Sequence, residues 1–453
     1  MKPNILFIVI DSLRADKCYG NRKTSVTPNI DSLISDGVYF TQAFSSAAAT
    51  TLAVSSILTG LYPCHNGMGG KTYDKLDSKI LNYVKVLKDN GYNTYSSTPQ
   101  IATDFGLTYD FENIDSSHDN YFSLFAGLGD QILEKFSSNK LKEPWFFYLH
   151  LFDLHTPVIV PNDYTENKFG MSQYEKMVSA IDSWIGEFLK KIDREHTLII
   201  LTSDHGEYIP VVKHGVEIIN LEPGLTETNL WSIGNKIPKS LYPVKKKFGS
   251  LLRKVRKKSK FSKISNLSLT SYQKRILLES RMGYGHRMYD DLLHIPLVFS
   301  GYNIHKNIKI SHQVRHIDIF PTILDLISTT DKSEKDGISL LPLFSNNKMD
   351  ELPACIESPP SMHSGSKKSV GIRTKNYKYI RDIDHNGDIL ELYDLQNDPF
   401  EEKNIANSNK PMVEKMENLL NLHRGQTNLK QKKLMSSEEI KKIEDKLKKL
   451  GYR

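Results

Sequence analysis

Cysteine is scarce in this chain of 453 residues, which contains only Cys18, Cys64 and Cys355. An odd number of widely spaced cysteines gives no disulfide framework, and none of them has the close spacing typical of a structural zinc site. A disulfide-stapled fold and a cysteine-based metal site are therefore both excluded. The chain is long enough to be stabilised by an ordinary hydrophobic core instead.

Long apolar stretches are lacking as well. The first apolar run, Ile5 to Ile10, has six residues and is followed at once by Asp11, which makes it too short for the core of a signal peptide. No run approaches the ~20 residues of a membrane-spanning helix. We therefore expect a cytoplasmic protein.

Acidic residues are absent from one segment. Between Lys236 and Lys263 there are twelve Lys or Arg and no Asp or Glu, and without these charges the net charge falls from +7 to −5. The default interpretation is a solvated insertion. Because apolar side chains from Phe248 to Val255 interleave with the cations, binding to acidic lipids at the inner membrane face is an alternative. Nucleic-acid binding is the least favoured, since no recognition motif accompanies the segment.

Short apolar runs that end in polar residues predict the fold. Ile5–Ile10, Trp145–Asp153 and Thr197–Gly206 have the composition of buried parallel strands with polar residues at their ends, and helical patterns such as Thr50–Leu58 and Leu76–Asn90 separate them. This alternation predicts an α/β fold with a mostly parallel sheet flanked by helices. Ligands bind at the carboxyl ends of the strands in such sheets.

The same patterns divide the chain. We predict a catalytic domain over residues 1–345, interrupted by a basic insertion at about 211–283, and a smaller C-terminal α+β subdomain over 346–425. Residues 426–453 are predicted to hold a Lys-rich helix, for which Ser436 and Glu439 form a capping box.

Polar residues at the predicted strand ends indicate a metal site. Asp11 follows the first strand, and Asp204 and His205 follow the third. Carboxylate oxygens and an imidazole nitrogen suit a divalent metal such as Mn²⁺, Ca²⁺ or Zn²⁺. Any one of these residues alone would more simply be a turn or capping residue, so the hypothesis depends on their combination.

Ordered motifs then show a family resemblance. They start with Asp11-x-Leu13-Arg14-x-Asp16, Thr27-Pro28-Asn29 and Leu58-Thr59-Gly60, continue with Asp153-x-His155-x-Pro157, Ser203-Asp204-His205-Gly206 and Gly285-His286, and end with Asp318-x-x-Pro321-Thr322 and Asp398-Pro399-x-Glu401. The chain resembles the sulfatase family of the alkaline-phosphatase superfamily. The resemblance implies the alkaline-phosphatase-like fold and a metal-dependent ester hydrolase.

The resemblance also implies residue roles. Thr50 falls on the position of the nucleophile, which would also contact the metal beside Asp11, Asp204 and His205. His155 and His286 would bind the ester oxygens or assist the leaving group. Asp153 would ligate a second metal or orient a histidine, so one and two metal ions both remain open. His150 competes with His155, and His214 with His286; His294, His312 and His316 are expected to be structural.

Departures from the family pattern bear on the chemistry. The family's Cys-x-Pro-x-Arg motif falls on Thr50 to Val54, so the proline and arginine are missing and threonine cannot be oxidised to formylglycine. Ser12 replaces the second aspartate of the N-terminal pair, and Pro99 and Ile101 replace a lysine and a histidine. Threonine nucleophiles are characteristic of the superfamily's phosphodiesterases and transferases, so we expect phosphate esters or phosphodiesters, lipid- or glycan-linked. A sulfate ester hydrolase, and an inactive fold that binds anionic glycan or lipid, are the alternatives.

Overall fold

The structure, a computed structural model, describes residues 2–69, 74–116, 122–138, 140–223, 256, 258–279, 288–331, 333–345, 347–358, 368–383, 389–425 and 433–449. The strands are β1 (Asn4–Ile10), β2 (Gly37–Phe44), β3 (Asp74–Lys75), β4 (Asn93–Ser97), β5 (Asn113–Asp115), β6 (Trp145–Leu151), β7 (Thr197–Thr202), β8 (Val211–His214), β9 (Glu217–Asn220), β10 (His294–Gly301), β11 (Ile308–Ile310), β12 (Val314–Arg315), β13 (Ala354–Glu357), β14 (Ser369–Arg373), β15 (Tyr377–Asp382), β16 (Leu390–Asp394) and β17 (Lys433–Leu434).

The α-helices are α1 (Pro28–Ser35), α2 (Thr50–Thr59), α3 (Tyr83–Asp89), α4 (Gln100–Asp104), α5 (Leu128–Ser137), α6 (Gln173–Leu189), α7 (Ser271–Leu278), α8 (Asp290–Leu293), α9 (Ile319–Leu326), α10 (Leu341–Phe344), α11 (Lys410–Gly425) and α12 (Ser437–Lys449). Short 3₁₀ helices lie at Ala15–Lys17, Leu124–Ala126, Asn162–Tyr164, Asn167–Phe169 and His316–Asp318.

A mostly parallel sheet forms the centre of the fold, as predicted. Among the described residues it has nine strands, in the order β11-β2-β10-β7-β1-β6-β4-β5 with β12 beside β2. The central strand β1 pairs in parallel with β6 on one side and β7 on the other, whereas β10 runs antiparallel to its neighbours. Three predicted strands therefore lie side by side, with their carboxyl ends at one edge.

Helices cover both faces of this sheet. All seven residues of β1 are buried, and alternate side chains point to opposite faces. Ile5, Phe7 and Val9 join the core under α2, α3 and α9, and Leu6, Ile8 and Ile10 join the core under α1, α5 and α6. Burial on both faces explains why β1 is continuously apolar.

A smaller antiparallel sheet follows in the chain. It has the order β13-β14-β15-β16, and α11 packs on it through Met416 and Leu420. Its first strand reaches the main domain, because Glu357 N–H donates to the Ser46 carbonyl over 2.8 Å. This is the predicted C-terminal α+β subdomain.

One predicted helix is shorter than expected. The apolar pattern indicated a helix over Leu76–Asn90, but α3 begins only at Tyr83. The Asn82 side chain caps it by accepting a hydrogen bond from Lys85 N–H over 3.1 Å. At the other end of the chain, the predicted capping box of α12 is confirmed, because Ser436 and Glu439 each accept the other's backbone N–H with their side chains.

The basic segment Lys236–Lys263 falls largely outside the described residues, which include only Arg256, Lys258, Lys260 and Lys263 of its cations. In the described part of the chain, no helix has both the length and the apolar character needed to cross a bilayer.

A buried lysine on the C-terminal sheet contacts residues of the catalytic domain. Lys378, on β15, is fully buried, and its Nζ lies 2.5 Å from both Asp290 Oδ1 and Glu401 Oε1. It also donates to the Met288 carbonyl over 2.9 Å. The subdomain is therefore attached through a charge cluster in which one cation balances carboxylates on two sides.

Replacing this lysine should destabilise the protein strongly. Lys378→Met would leave Glu401 buried without its cation, which costs about 3–5 kcal/mol in comparable buried pairs. Urea unfolding measures the difference. Lys375→Met is the control, because the Lys375 side chain is 68% exposed and its pair with Glu351 contributes little. Equal unfolding free energies for Lys378→Met and wild type would contradict the assignment.

Candidate active site

The ends of two neighbouring strands meet at a buried acidic cluster. Asp11 follows β1, and Asp204 and His205 follow β7, whose Thr202 is in register with Val9. Ligand atoms of Asp11, Asp204 and His205 lie within 4.8 Å of one another, and all three residues are fully buried. The structure thus brings together the three residues that the sequence placed at strand ends.

The hydrogen bonds of this cluster leave donor atoms for a cation. Asp204 Oδ1 accepts from the backbone N–H groups of Ser12 (3.1 Å) and His205 (2.8 Å), whereas Asp204 Oδ2 is buried without a hydrogen-bond partner. His205 Nδ1 donates to the Gly206 carbonyl over 2.9 Å, which leaves Nε2 as the ligand atom. Two carboxylates and an imidazole with these atoms turned together fit a divalent metal.

Ser12 supports the cluster although it is not acidic. Its backbone adopts the left-handed conformation (φ 64°), which turns its N–H towards Asp204. Its hydroxyl donates to Asp11 Oδ1 over 2.5 Å. The residue that replaces the family's second aspartate therefore orients both carboxylates and adds no negative charge.

Thr50 lies against this cluster at the start of α2. Its Oγ1 donates to Asp11 Oδ2 over 3.0 Å and lies 3.4 Å from His205 Nε2. The N-cap residue Ala49 has no side chain that could cap the helix. The first N–H groups of α2 are therefore suited to bind an anion beside the Thr50 hydroxyl.

The loop that presents Thr50 is held from two sides. Ser46 donates to His316 Nε2 from its backbone N–H (3.2 Å) and its hydroxyl (2.7 Å), and its carbonyl accepts from Glu357 N–H. Burial, with a smaller contribution from Arg315, lowers the pKa of His316 to about 3. His316 is therefore a neutral acceptor, in agreement with its expected structural role.

Asp153 and His155 follow β6, the other neighbour of β1. His155 Nδ1 contacts the Thr156 carbonyl at 2.9 Å, and the ring stacks on Phe152 with centroids 4.6 Å apart. Asp153 Oδ1 accepts from Leu124 N–H, its Oδ2 is buried without a hydrogen-bond partner, and burial raises its pKa to about 7. Neither residue belongs to the three-residue group, so their catalytic and metal roles stay predictions.

His150 is closer to the cluster than the sequence suggested. It lies on β6 in register with Val9, and its Nε2 is 3.8 Å from Asp11 Oδ2, with both side chains fully buried. The sequence interpretation treated it as the more structural competitor of His155. The signal that could have identified it is register, because a polar residue one pair before the end of β1 lies beside the strand-end carboxylate.

The last predicted catalytic residue, His286, lies outside the described residues. Its competitor His214 ends β8 and is partly buried. The choice between the two histidines therefore stays a prediction.

Comparisons with known proteins identify the family. A family model described as Sulfatase matches residues 3–329, and one described as N-sulphoglucosamine sulphohydrolase, C-terminal, matches residues 282–428. Arylsulfatase K of Gallus gallus is 23% identical over 92% of this chain and 82% of its own length. The match to arylsulfatase K of Canis lupus familiaris is 34% identical but covers 30% of this chain and only 27% of that relative.

Solved structures show the same fold. A putative sulfatase from Bacteroides thetaiotaomicron superposes with a TM-score of 0.67 at 15% identity, covering 97% of this chain and 96% of its own. The phosphonate monoester hydrolase of Agrobacterium radiobacter has a TM-score of 0.65 at 18% identity, covering 93% and 96%. These neighbours have the alkaline-phosphatase-like fold, and members of the family generally use a divalent metal. Since the family model covers most of its length, this chain belongs to the sulfatase family.

Proposed function

We propose that this protein is a metal-dependent hydrolase or transferase that acts on phosphate esters or phosphodiesters through the hydroxyl of Thr50. The observation that carries the proposal is the position of that hydroxyl, 3.0 Å from Asp11 Oδ2 and 3.4 Å from His205 Nε2. A hydroxyl at a helix N-terminus beside a metal-binding cluster is placed to attack a tetrahedral anionic ester.

The identity of the nucleophile favours phosphorus over sulfur. Threonine cannot supply formylglycine, so the aldehyde chemistry of the family's sulfate ester hydrolases is closed to this chain. A threonine oxygen can instead form an ordinary phosphate ester as an intermediate. This argument concerns the residue type at position 50 and is independent of the relatives' names.

Asp11, Asp204, His205 and Thr50 would hold the metal. When bound, a divalent metal lowers the pKa of a coordinated hydroxyl and neutralises charge on the ester oxygens. The Thr50 proton already points at Asp11 Oδ2. Asp153, with one orphaned carboxylate oxygen, is the candidate ligand for a second metal.

The reaction then has two displacements. Thr50 Oγ1 gives its proton to Asp11 Oδ2, with which it is hydrogen-bonded, and forms a bond to phosphorus while the ester P–O bond breaks. The leaving alkoxide takes a proton from protonated His155. A water molecule, or the hydroxyl of an acceptor, then gives a proton back to His155 and attacks the phosphothreonine, and Thr50 Oγ1 leaves and recovers its proton from Asp11. The α2 N–H groups and His286 would bind the non-bridging oxygens during both steps.

Sulfate ester hydrolysis is the second candidate, because the names of the relatives favour it. Two structural neighbours were solved with bound sugars, one with its substrate D-glucosamine-2-N,6-O-disulfate and the other with k-i-k-neocarrahexaose. These neighbours also support an anionic, sugar-linked substrate for this chain.

One substrate panel distinguishes the candidates. The purified protein, loaded in turn with Mn²⁺, Ca²⁺ or Zn²⁺, is assayed on a bis-aryl phosphate, an aryl phosphate and an aryl sulfate with the same leaving group. We expect turnover of a phosphate substrate to exceed that of the sulfate. Turnover of the sulfate alone would establish the second candidate, and bound metal without any turnover would indicate a binding protein.

A further inference from the structure

Beyond the strand-end cluster, a hairpin and a helical segment expose apolar and cationic side chains together. The hairpin is β8–β9, which begins six residues after His205. The helical segment spans residues 258–264. Val212 of the hairpin and Ile264 of the helical segment are buried in one hydrophobic cluster, so both elements pack on the same part of the core.

The hairpin has a core face and an outer face. Val212 pairs with Ile219, and these side chains pack in the cluster that contains Ile264 and Ile276. The next pair, Lys213 and Ile218, points the opposite way, because side chains alternate along a strand. Ile218 is 48% exposed and Val216, at the turn, is 96% exposed. The packing of Val212 and Ile219 in the core therefore leaves the side chains of Val216 and Ile218 exposed to solvent.

The helical segment likewise has one buried face and one exposed face. Ile264 is buried in the shared cluster, whereas Phe261, one turn earlier, is 60% exposed. Lys258 and Lys263 are exposed on either side of it. Residues 256–278 contain seven Lys or Arg and no acidic residue, and they continue the basic run that starts at Lys236.

We propose that this surface, formed by Lys213, Val216, Ile218, Lys258, Phe261 and Lys263, docks on an anionic lipid bilayer. Exposed apolar side chains on elements that also carry exposed lysines suit insertion into the headgroup region, where each cation near acidic lipid adds attraction. Glu217 is the acidic residue at the turn, and the described cations outnumber it. The phosphates of a nucleic acid would pair with the lysines, but binding to a nucleic acid would leave the apolar side chains at the hairpin tip exposed to water.

Docking would place the strand-end cluster close to lipid-linked or surface-linked substrates, because the hairpin directly follows the Asp204–His205 loop. This consequence rests on the proposed function, whereas the docking itself does not. Failure of catalysis would therefore leave the docking proposal unchanged.

The test is sedimentation of the full-length protein with vesicles of phosphatidylcholine, with and without phosphatidylserine. We expect binding only with phosphatidylserine, weakened by added salt. Lys258→Glu combined with Lys263→Glu should reduce the partition coefficient by about 30-fold or more, at about fivefold for each lost cation. Val216→Asp combined with Phe261→Ser should weaken binding while its dependence on phosphatidylserine is retained.

The matched control is Lys168→Glu combined with Lys190→Glu, two lysines that are 61% and 68% exposed elsewhere on the surface. It should bind vesicles almost as well as wild type. Equal binding to both vesicle types, an equal loss in the control, or binding to duplex DNA without binding to vesicles would overturn the proposal.

Discussion

Thr50→Ala is expected to lower kcat on phosphate substrates by about 10³-fold or more, the size of effect seen when a covalent nucleophile is removed. The Thr50 hydroxyl contacts Asp11 and His205 directly, and alanine keeps the helical backbone of α2 while removing the attacking oxygen. Steady-state kinetics with a bis-aryl phosphate, at saturating metal, measure the loss.

Two variants make this result specific. Thr50→Ser retains a hydroxyl and should keep most of the activity that Thr50→Ala loses. Thr51→Ala removes the neighbouring hydroxyl on the same helical turn and should change kcat by only a few-fold. Undiminished turnover in Thr50→Ala, or an equal loss in Thr51→Ala, would remove Thr50 from the mechanism.

Asp204→Asn is expected to weaken metal binding without destabilising the metal-free protein. Asp204 Oδ2 is buried without a hydrogen-bond partner near a second buried carboxylate, Asp11, so the charge is costly until a cation binds. The variant should bind metal about 100-fold or more weakly than wild type. This loss is larger than the loss expected from removing a residue that only hydrogen-bonds to a metal ligand. Without metal, it should unfold at the same or a higher urea concentration than wild type.

Urea unfolding with and without added Mn²⁺ or Zn²⁺ tests both parts, because a ligand that binds only the folded state raises its stability. Asp163→Asn, which changes an exposed carboxylate, should retain the full metal-dependent stabilisation. If Asp204→Asn is stabilised by metal as much as wild type, the cluster is not the metal site. If it unfolds much more readily without metal, the carboxylate has a structural role instead.

The sequence was sufficient to predict the features that depend on strand pattern. The apolar runs before Asp11 and Asp204 predicted parallel strands, and parallel strands bring their final residues to one edge. The juxtaposition of Asp11, Asp204 and His205 is therefore a direct consequence of local pattern. The capping box of α12 was predictable for the same reason, since its partners are three residues apart.

Features that depend on register between distant strands were not predictable. His150 lies next to Asp11 because β6 pairs with β1 in one particular register. The sequence of β6, in which all residues other than His150 are apolar or aromatic, does not specify that register. The hydrogen bond between Ser46 and His316 joins residues that are 270 positions apart in the sequence. The late start of α3 reflects the cap at Asn82, which overrides an apolar spacing that continues further upstream.

The comparisons and the chain's own chemistry point in different directions on one matter. The sequence relatives are named as sulfatases, although one structural neighbour is a phosphonate monoester hydrolase, whereas position 50 carries a residue that cannot make the sulfatase aldehyde. Membership of a family predicts the fold and the position of the metal site at the carboxyl ends of the strands. The atom that attacks the substrate, in contrast, depends on a single side chain. The identity of the nucleophile is therefore the central claim.

The stereochemical course at phosphorus tests that claim most directly. A chiral, oxygen-isotope-labelled phosphate ester is converted by the metal-loaded enzyme in the presence of an acceptor alcohol, and the configuration of the product is determined. Two successive displacements through phosphothreonine predict net retention, whether or not the intermediate accumulates. Net inversion would show direct attack by the acceptor and would contradict a nucleophilic role for Thr50.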